Sequence, residues 1–363
     1  MDKAHKRQLR ALERRRRRGD PAGWQTQMED RENVLEICHL RAGFFTHRGI
    51  VRSVDGVSFS VPAGQVVGVV GESGCGKSVT SLSVLQLLQR PQGQIFSGQL
   101  RLNLGDRAID LAKAPERVLE DLRGREISMI FQEPMTALDP VMRIGRQLRE
   151  VLELHSPHLD KKARQEKTLE LLQTVGISDP ERVCRMYPHS LSGGMRQRVM
   201  IAMGIACRPR LMIADEPTTA LDVTVQAQIL ELLRQLKERY GTAVLLITHD
   251  LGVVAELADR VVVMYAGRVV EQGTVREIFE NPAHPYTRAL LAAKPVVGKK
   301  QERLFAIDGT VPDPLGLPVH CYFKTRCPQG EACCRETYPA QLQLSPTHQV
   351  SCHLVQRKED TRG

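Results

Sequence analysis

The sequence predicts an α/β fold built around a parallel β-sheet covered on both faces by helices. Three observations predict it: short aliphatic runs recur along the chain, stretches of helical spacing separate them, and a glycine-rich loop joins one run directly to a helix. With 363 residues there is room for one large α/β domain and appendages. Hydrophobic residues make up 42% and charged residues 26%, as in a globular protein. No apolar run approaches the roughly eighteen residues that would span a bilayer, and no apolar signal region follows the charged N-terminus. The expectation is a cytosolic chain.

Taken in order, the elements begin with a charge block. The first twenty residues hold nine Lys or Arg against three Asp or Glu, which places +6 of the net +9 there. Residues 1–32, with Arg14 to Arg18 in one run, read as a basic and disordered tail, either solvated or touching anionic lipid or RNA. The remainder carries only +3, so no nucleic-acid partner is expected. Val34 to Leu40 and Val57 to Val61 read as half-buried strands, and Pro62-Ala63-Gly64 as a turn. Gln65 to Val70 suits a buried parallel strand, followed by the glycine loop and a helix over Val79 to Leu88. Further strands are expected at Ile127 to Phe131, Leu211 to Ala214, Ala243 to Thr248 and Val261 to Tyr265. Helices are expected at Ala163 to Val175, Met195 to Cys207 and Val223 to Arg239. From about residue 296 the chain is richer in Pro and Cys, which suggests a second small module over 296–363 after a main domain over 33–295.

The glycine loop carries the chemistry. Gly71-Glu72-Ser73-Gly74-Cys75-Gly76-Lys77-Ser78 matches the phosphate-binding pattern Gly-x-x-x-x-Gly-Lys-Ser, with a buried strand before it and a helix from Val79 after it. Glycines let backbone N–H groups turn toward phosphate oxygens, and the helix start adds favourable partial charge. Lys77 would bridge the β- and γ-phosphates of ATP, and the Ser78 hydroxyl would ligate Mg²⁺. An acidic partner is needed on a neighbouring strand, and Leu211 to Ala214 ends in Asp215-Glu216. Asp215 would hold Mg²⁺ and Glu216 would polarise the attacking water. Glu133-Pro134-Met135-Thr136-Ala137-Leu138-Asp139 echoes Glu216-Pro217-Thr218-Thr219-Ala220-Leu221-Asp222. Its first copy has Gln132 where the second has Asp215, and a neutral amide anchors a divalent cation poorly. Metal and base chemistry therefore go to the second copy, and Gln132 becomes a sensor reaching metal or water.

Between these elements stands Leu191-Ser192-Gly193-Gly194-Met195-Arg196-Gln197-Arg198. In order, the chain shows the Gly71 loop, Gln132, the Leu-Ser-Gly-Gly segment, Asp215-Glu216, the Ala220-Leu221-Asp222 turn and His249. That ordered set resembles the nucleotide-binding subunits of ABC transporters over residues 33 to about 290. The resemblance implies a P-loop ATPase core with a small antiparallel β subdomain and a helical subdomain at about 135–205. It implies that Ser192, Gly193 and Gly194 start a helix facing the γ-phosphate held by a second subunit, with Asp222 at the seam and His249 on the γ-phosphate. The family usually stacks an aromatic residue on adenine. Phe44 and Phe45 are candidates here, and gapless spacing points instead to Arg48.

Asn281-Pro282-Ala283-His284-Pro285-Tyr286-Thr287-Arg288-Ala289-Leu290-Leu291 resembles the segment that closes the ATPase domain in importers of oligopeptides, dipeptides and nickel. Met195 and the residues after it look like one of the two paired ATPases of those systems. The resemblance implies a homologous second ATPase subunit, two permease subunits, an extracytoplasmic solute-binding protein, and a place on the cytoplasmic face of the membrane. Peptide is the favoured solute, with nickel and glutathione as alternatives. The rival from another class is a soluble ABC ATPase acting on ribosomes or DNA. Finally, Cys321, Cys327, Cys334 and Cys352, with Cys333 as an alternative third member, offer thiolates that suit zinc, a [4Fe–4S] cluster or no ligand. Resemblance to peptide-importer ATPases favours the cluster.

Overall fold

The computed structural model describes residues 3–18, 23–219, 221–293 and 307–360. Residues 19–22, Ala220, residues 294–306 and the ends of the chain lie outside them. Two sheets form the frame. In the larger, Ile127–Ile130, Leu211–Asp215, Ala243–Ile247, Val66–Val70 and Arg260–Tyr265 lie side by side and parallel. Four of these strands are buried at nearly every position, which is why they read as unbroken aliphatic runs rather than alternating ones. Arg268–Thr274, Gln349–Val350 and Leu342–Gln343 extend this sheet in antiparallel fashion, so the C-terminal region finishes the edge of the larger sheet.

The second sheet is antiparallel and is dominated by a hairpin of two 14-residue strands, Asn33–Thr46 and Gly49–Pro62. Gly93–Asn103 pairs with the first of them. Its inner face meets the parallel sheet in a shared core that includes Leu35, Ile37, Val57, Val67, Val69 and Leu245. Burying each such aliphatic side chain stabilises the fold by about 1.5–3 kcal/mol. A helical layer, comprising Ile144–His155, Lys161–Thr174, Pro180–Arg185 and Gly193–Ile205, packs on the other side through Leu148, Leu172, Val199 and Ile201. Two of these helices start on an aspartate cap. Asp160 accepts from Ala163 N at 2.7 Å and Asp179 from Arg182 N at 3.0 Å, satisfying donors that the first turn leaves open.

The N-terminal segment departs from the expected disordered tail, because Lys3–Arg18 is an α-helix. Its Lys, Arg, Gln, Leu and Ala residues are strong helix formers, and a partner surface is available. Gln94 Nε2 donates to Glu13 Oε1 at 2.7 Å, and the His5 ring meets Phe45 edge-on at 6.3 Å. No helix among the described residues is long and apolar enough to cross a membrane.

Candidate active site

Parallel neighbours bring their C-terminal ends to one edge, and the candidate residues sit on that edge. Gly71 follows Val66–Val70, Gln132 follows Ile127–Ile130, Asp215 ends Leu211–Asp215, and His249 follows Ala243–Ile247. The phosphate loop itself depends on its glycines. Gly76 has φ 99°, and a Cβ there would lie 2.3 Å from the Ser53 carbonyl oxygen. Gly71 is as crowded, with an added Cβ 2.2 Å from the Met264 oxygen. The loop leads into the helix Lys77–Val84, whose first turn carries no acidic residue to compete with an anion.

Lys77 is buried, and its Nζ donates to the carbonyls of Gly71 at 2.7 Å and Glu72 at 3.1 Å. Its positive charge thus already lies within the loop. Ser78 Oγ donates to Asp215 Oδ1 at 3.1 Å, and Ser81 Oγ lies 3.4 Å from Oδ2. Asp215 is only 4% exposed. Burial raises its pKa, the bond from Ser78 opposes this, and neighbouring Glu216 adds to the rise. A buried carboxylate beside a hydroxyl is an oxygen donor set that fits a hard divalent cation, whose charge would favour the ionised form.

Glu216 gathers the rest. Gln132 Nε2 donates to its Oε2 at 3.0 Å, Thr219 Oγ1 donates to the same oxygen at 2.9 Å, and His249 Nδ1 lies 3.2 Å from Oε1. Its φ of 48° is left-handed for a non-glycine residue, a strained setting that the bond from Glu216 N to Ile247 O at 2.8 Å helps hold. Of the two echoing segments, the second supplies Asp215 and Glu216 to this edge. The first sends in Gln132, while Asp139 is spent on its own loop by accepting from Val141 N at 2.9 Å.

Ser192, Gly193, Gly194 and Asp222 form a separate group. Ser192 caps the helix Gly193–Ile205 by accepting from Met195 N at 3.3 Å, and Asp222 caps Val223–Tyr240 by accepting from Val225 N at 2.9 Å. The two helix starts touch, because a Cβ on Gly194 would lie 2.7 Å from Val225. Ser192 and Gly193 are exposed, and among the described residues no hydrogen bond joins this group to the Glu216 cluster.

Phe45 is 2% exposed, packed against Phe96 and His5, so it is not open to stack on a base as the fold stands. Arg48 is exposed and lies 3.9 Å from Asp313. Cys321, Cys327, Cys334 and Cys352 gather closely enough to influence one another. Burial, then Cys334, Cys352 and Cys327, push the Cys321 thiol up to about 11. Among the described residues, however, no group of three or more His, Cys, Asp or Glu is arranged to hold a metal ion.

Residues 54–219 match the ABC transporter family, and residues 270–334 match the oligopeptide/dipeptide transporter C-terminal region. The chain is 49% identical over 325 residues to the oligopeptide transport ATP-binding protein AppD of Bacillus subtilis (strain 168), covering 90% of this chain and 98% of the relative. This chain belongs to the ATP-binding proteins of oligopeptide and dipeptide ABC transporters. The dipeptide transport ATP-binding protein DppD of Escherichia coli (strain K12) is 47% identical over 320 residues, 88% of this chain and 96% of that one. Among solved structures, the ATP-binding cassette MJ0796, dimeric in a post-hydrolysis state with ADP and Pi, aligns with a TM-score of 0.59. It is 25% identical over 67% of this chain and 99% of its own. The subunit is accordingly an ATPase whose hydrolysis is coupled to transport. Its C-terminal family match ends at Cys334, short of Cys352.

Sequence reasoning missed what lies behind the phosphate loop. Glu72 N donates to the Tyr286 hydroxyl at 3.0 Å, and Arg326 reaches the Glu72 carboxylate. Tyr286 stood in a segment singled out only by resemblance. Arg326 gave no local signal, since 254 residues separate it from its partner.

Proposed function

We propose that this subunit powers import of di- or oligopeptides by closing with a homologous second ATPase around two ATP molecules. The observation that carries the proposal is the division of the anion-binding groups into a complete phosphate-loop cluster and an exposed helix start at Ser192. The peptide specificity rests on what the relatives' names say of them. In this reading Gly71 to Val79 cradle the phosphates, and Lys77 turns from the Gly71 and Glu72 carbonyls to the β- and γ-phosphates. Ser78 and Asp215, with Gln132, would hold Mg²⁺, which would offset phosphate charge. Glu216 accepts the proton of the attacking water, oriented by Gln132 and Thr219, and His249 steadies the γ-phosphate. Ser192, Gly193, Gly194 and Asp222 serve the nucleotide of the companion chain. Two permease subunits, a solute-binding protein and a position on the cytoplasmic face of the membrane complete the assembly.

The four C-terminal thiols are proposed to hold a [4Fe–4S] cluster. The mutual influence of their thiols supports this. Anaerobic purification with an absorption spectrum tests it: visible charge-transfer bands lost in C321S support a cluster, and a colourless, iron-free protein removes it.

The transport proposal is tested by reconstituting the chain with its permeases and companion ATPase in vesicles and following labelled dipeptide. Uptake that needs ATP and stops in Glu216→Gln is the expected result. Peptide-independent turnover with no uptake, or co-sedimentation with ribosomes instead of permeases, would overturn it.

A further inference from the structure

Behind the phosphate loop, the C-terminal region inserts one arginine. Arg326 Nη1 donates to Glu72 Oε2 at 2.7 Å and Nη2 donates to Glu72 Oε1 at 3.0 Å, a two-pronged pair on a side chain only 5% exposed. The fork has no freedom of its own. Nε donates to the Asp308 carbonyl at 2.9 Å, Nη2 also to the Ile307 carbonyl at 3.1 Å, and Nη1 lies 3.4 Å from the Tyr265 hydroxyl. Glu72 is the second residue of the phosphate loop and is held at every polar group. Its N–H goes to Tyr286, its carbonyl accepts from Lys77 at 3.1 Å, and its carboxylate meets Arg326.

That arrangement poses an electrostatic problem and answers it. A carboxylate on the loop that must receive a triphosphate repels the ligand, and the repulsion is strong where side chains are shielded from water. Lys77 cannot be the permanent counter-ion, because it must leave the Glu72 carbonyl to meet phosphate. Arg326 approaches from the other side and has no such conflict. We propose that Arg326 is a positioning residue for ATP: it neutralises and fixes the Glu72 carboxylate so that the phosphate loop keeps its shape and sign when Lys77 turns to the nucleotide. The C-terminal region thereby becomes part of the ATP site without touching ATP. This rests on the reading of Gly71 to Val79 as that site.

The test measures ATP binding to the full chain by calorimetry and steady-state ATPase in the assembled transporter. R326M is expected to weaken ATP binding about tenfold, appearing in KM while kcat at saturating ATP stays close to that of the parent. The defect should shrink as KCl rises, and R326M/E72Q should recover affinity because the unpaired carboxylate is gone. A purely structural arginine would give neither the salt dependence nor the rescue. If R326M does not fold, R326K carries the test: a KM raised about threefold with kcat unchanged supports the proposal, since charge without the fork only partly fixes Glu72. Parental KM in R326M or, failing that, in R326K overturns it, as does failure of E72Q to rescue R326M. Lys77→Ala is the control: if it binds ATP like the parent, the site assignment itself fails, whatever Arg326 does.

Discussion

At the phosphate loop, side chains from four neighbouring strand ends converge: Lys77 and Ser78, Gln132, Asp215 with Glu216, and His249. At Ser192 a helix of similar anion-binding character starts with no such company, and its nearest neighbour is the start of the helix Val223–Tyr240. Both places present unsatisfied N–H groups and a positive dipole end. Only the first brings a buried carboxylate beside a hydroxyl, a second carboxylate and a cation. The chain thus assembles one convergent polar cluster and one bare helix start, which suits the proposal that the helix start serves the nucleotide of a second subunit.

Substitutions at the two places should act differently. The largest effect is expected from Lys77→Ala, which removes the one cation inside the loop. ATP affinity measured by calorimetry should fall about a hundredfold or more. Next comes Glu216→Gln, which keeps the geometry of the Gln132 and Thr219 contacts but not the base. Phosphate release should drop about 10²- to 10⁴-fold while ATP binding persists. An unchanged turnover would reassign the base. Ser192→Arg should separate the two regions most cleanly. Turnover of the assembled ATPase pair falls about a hundredfold, whereas ATP affinity of the isolated chain shifts by less than about twofold, because the contact is made in the companion's site.

Last comes a pH dependence expected to be greater on the phosphate-loop side. Burial holds the His284 imidazole down to about 4, with Glu271 opposing the shift, and His284 Nδ1 accepts from Tyr286 N at 3.0 Å. Below pH 6.5 the unfolded chain takes up a proton that folded His284 refuses until about pH 4. Stability therefore falls as pH drops through that window, by up to about 3 kcal/mol. Hydrogen exchange should show residues 70–78 losing protection before residues 193–205, and His284→Asn should flatten the difference. Equal loss in both regions would mean the Tyr286 anchor does not matter.

Legibility followed the range of the interactions. Val66–Val70, Leu211–Asp215 and the helix Val223–Tyr240 were readable because a buried parallel strand and an amphipathic helix each write their period into adjacent residues. The loop at Gly71 was readable because its spacing is set by phosphate geometry. The full hairpin Asn33–Pro62 was read only in part. Register shifts near Ile37, Leu40 and Ala42 break the alternation that marks a strand, and they arise from pairing, not from local preference. The helix Lys3–Arg18 was misjudged because charge count says nothing about a neighbouring surface such as Gln94 and Phe45. The Arg326–Glu72 pair was invisible, since nothing near either residue announces the other.

ATP is proposed to be enclosed between the Lys77 loop of one chain and a Ser-Gly-Gly helix start of another. The most direct measurement is the mass in solution of Glu216→Gln mixed with the companion ATPase, with and without Mg-ATP. An ATP-dependent two-chain particle that is lost when Ser192 is replaced by Arg is the predicted result. ATP turnover by a strict monomer, indifferent to Ser192, would contradict it.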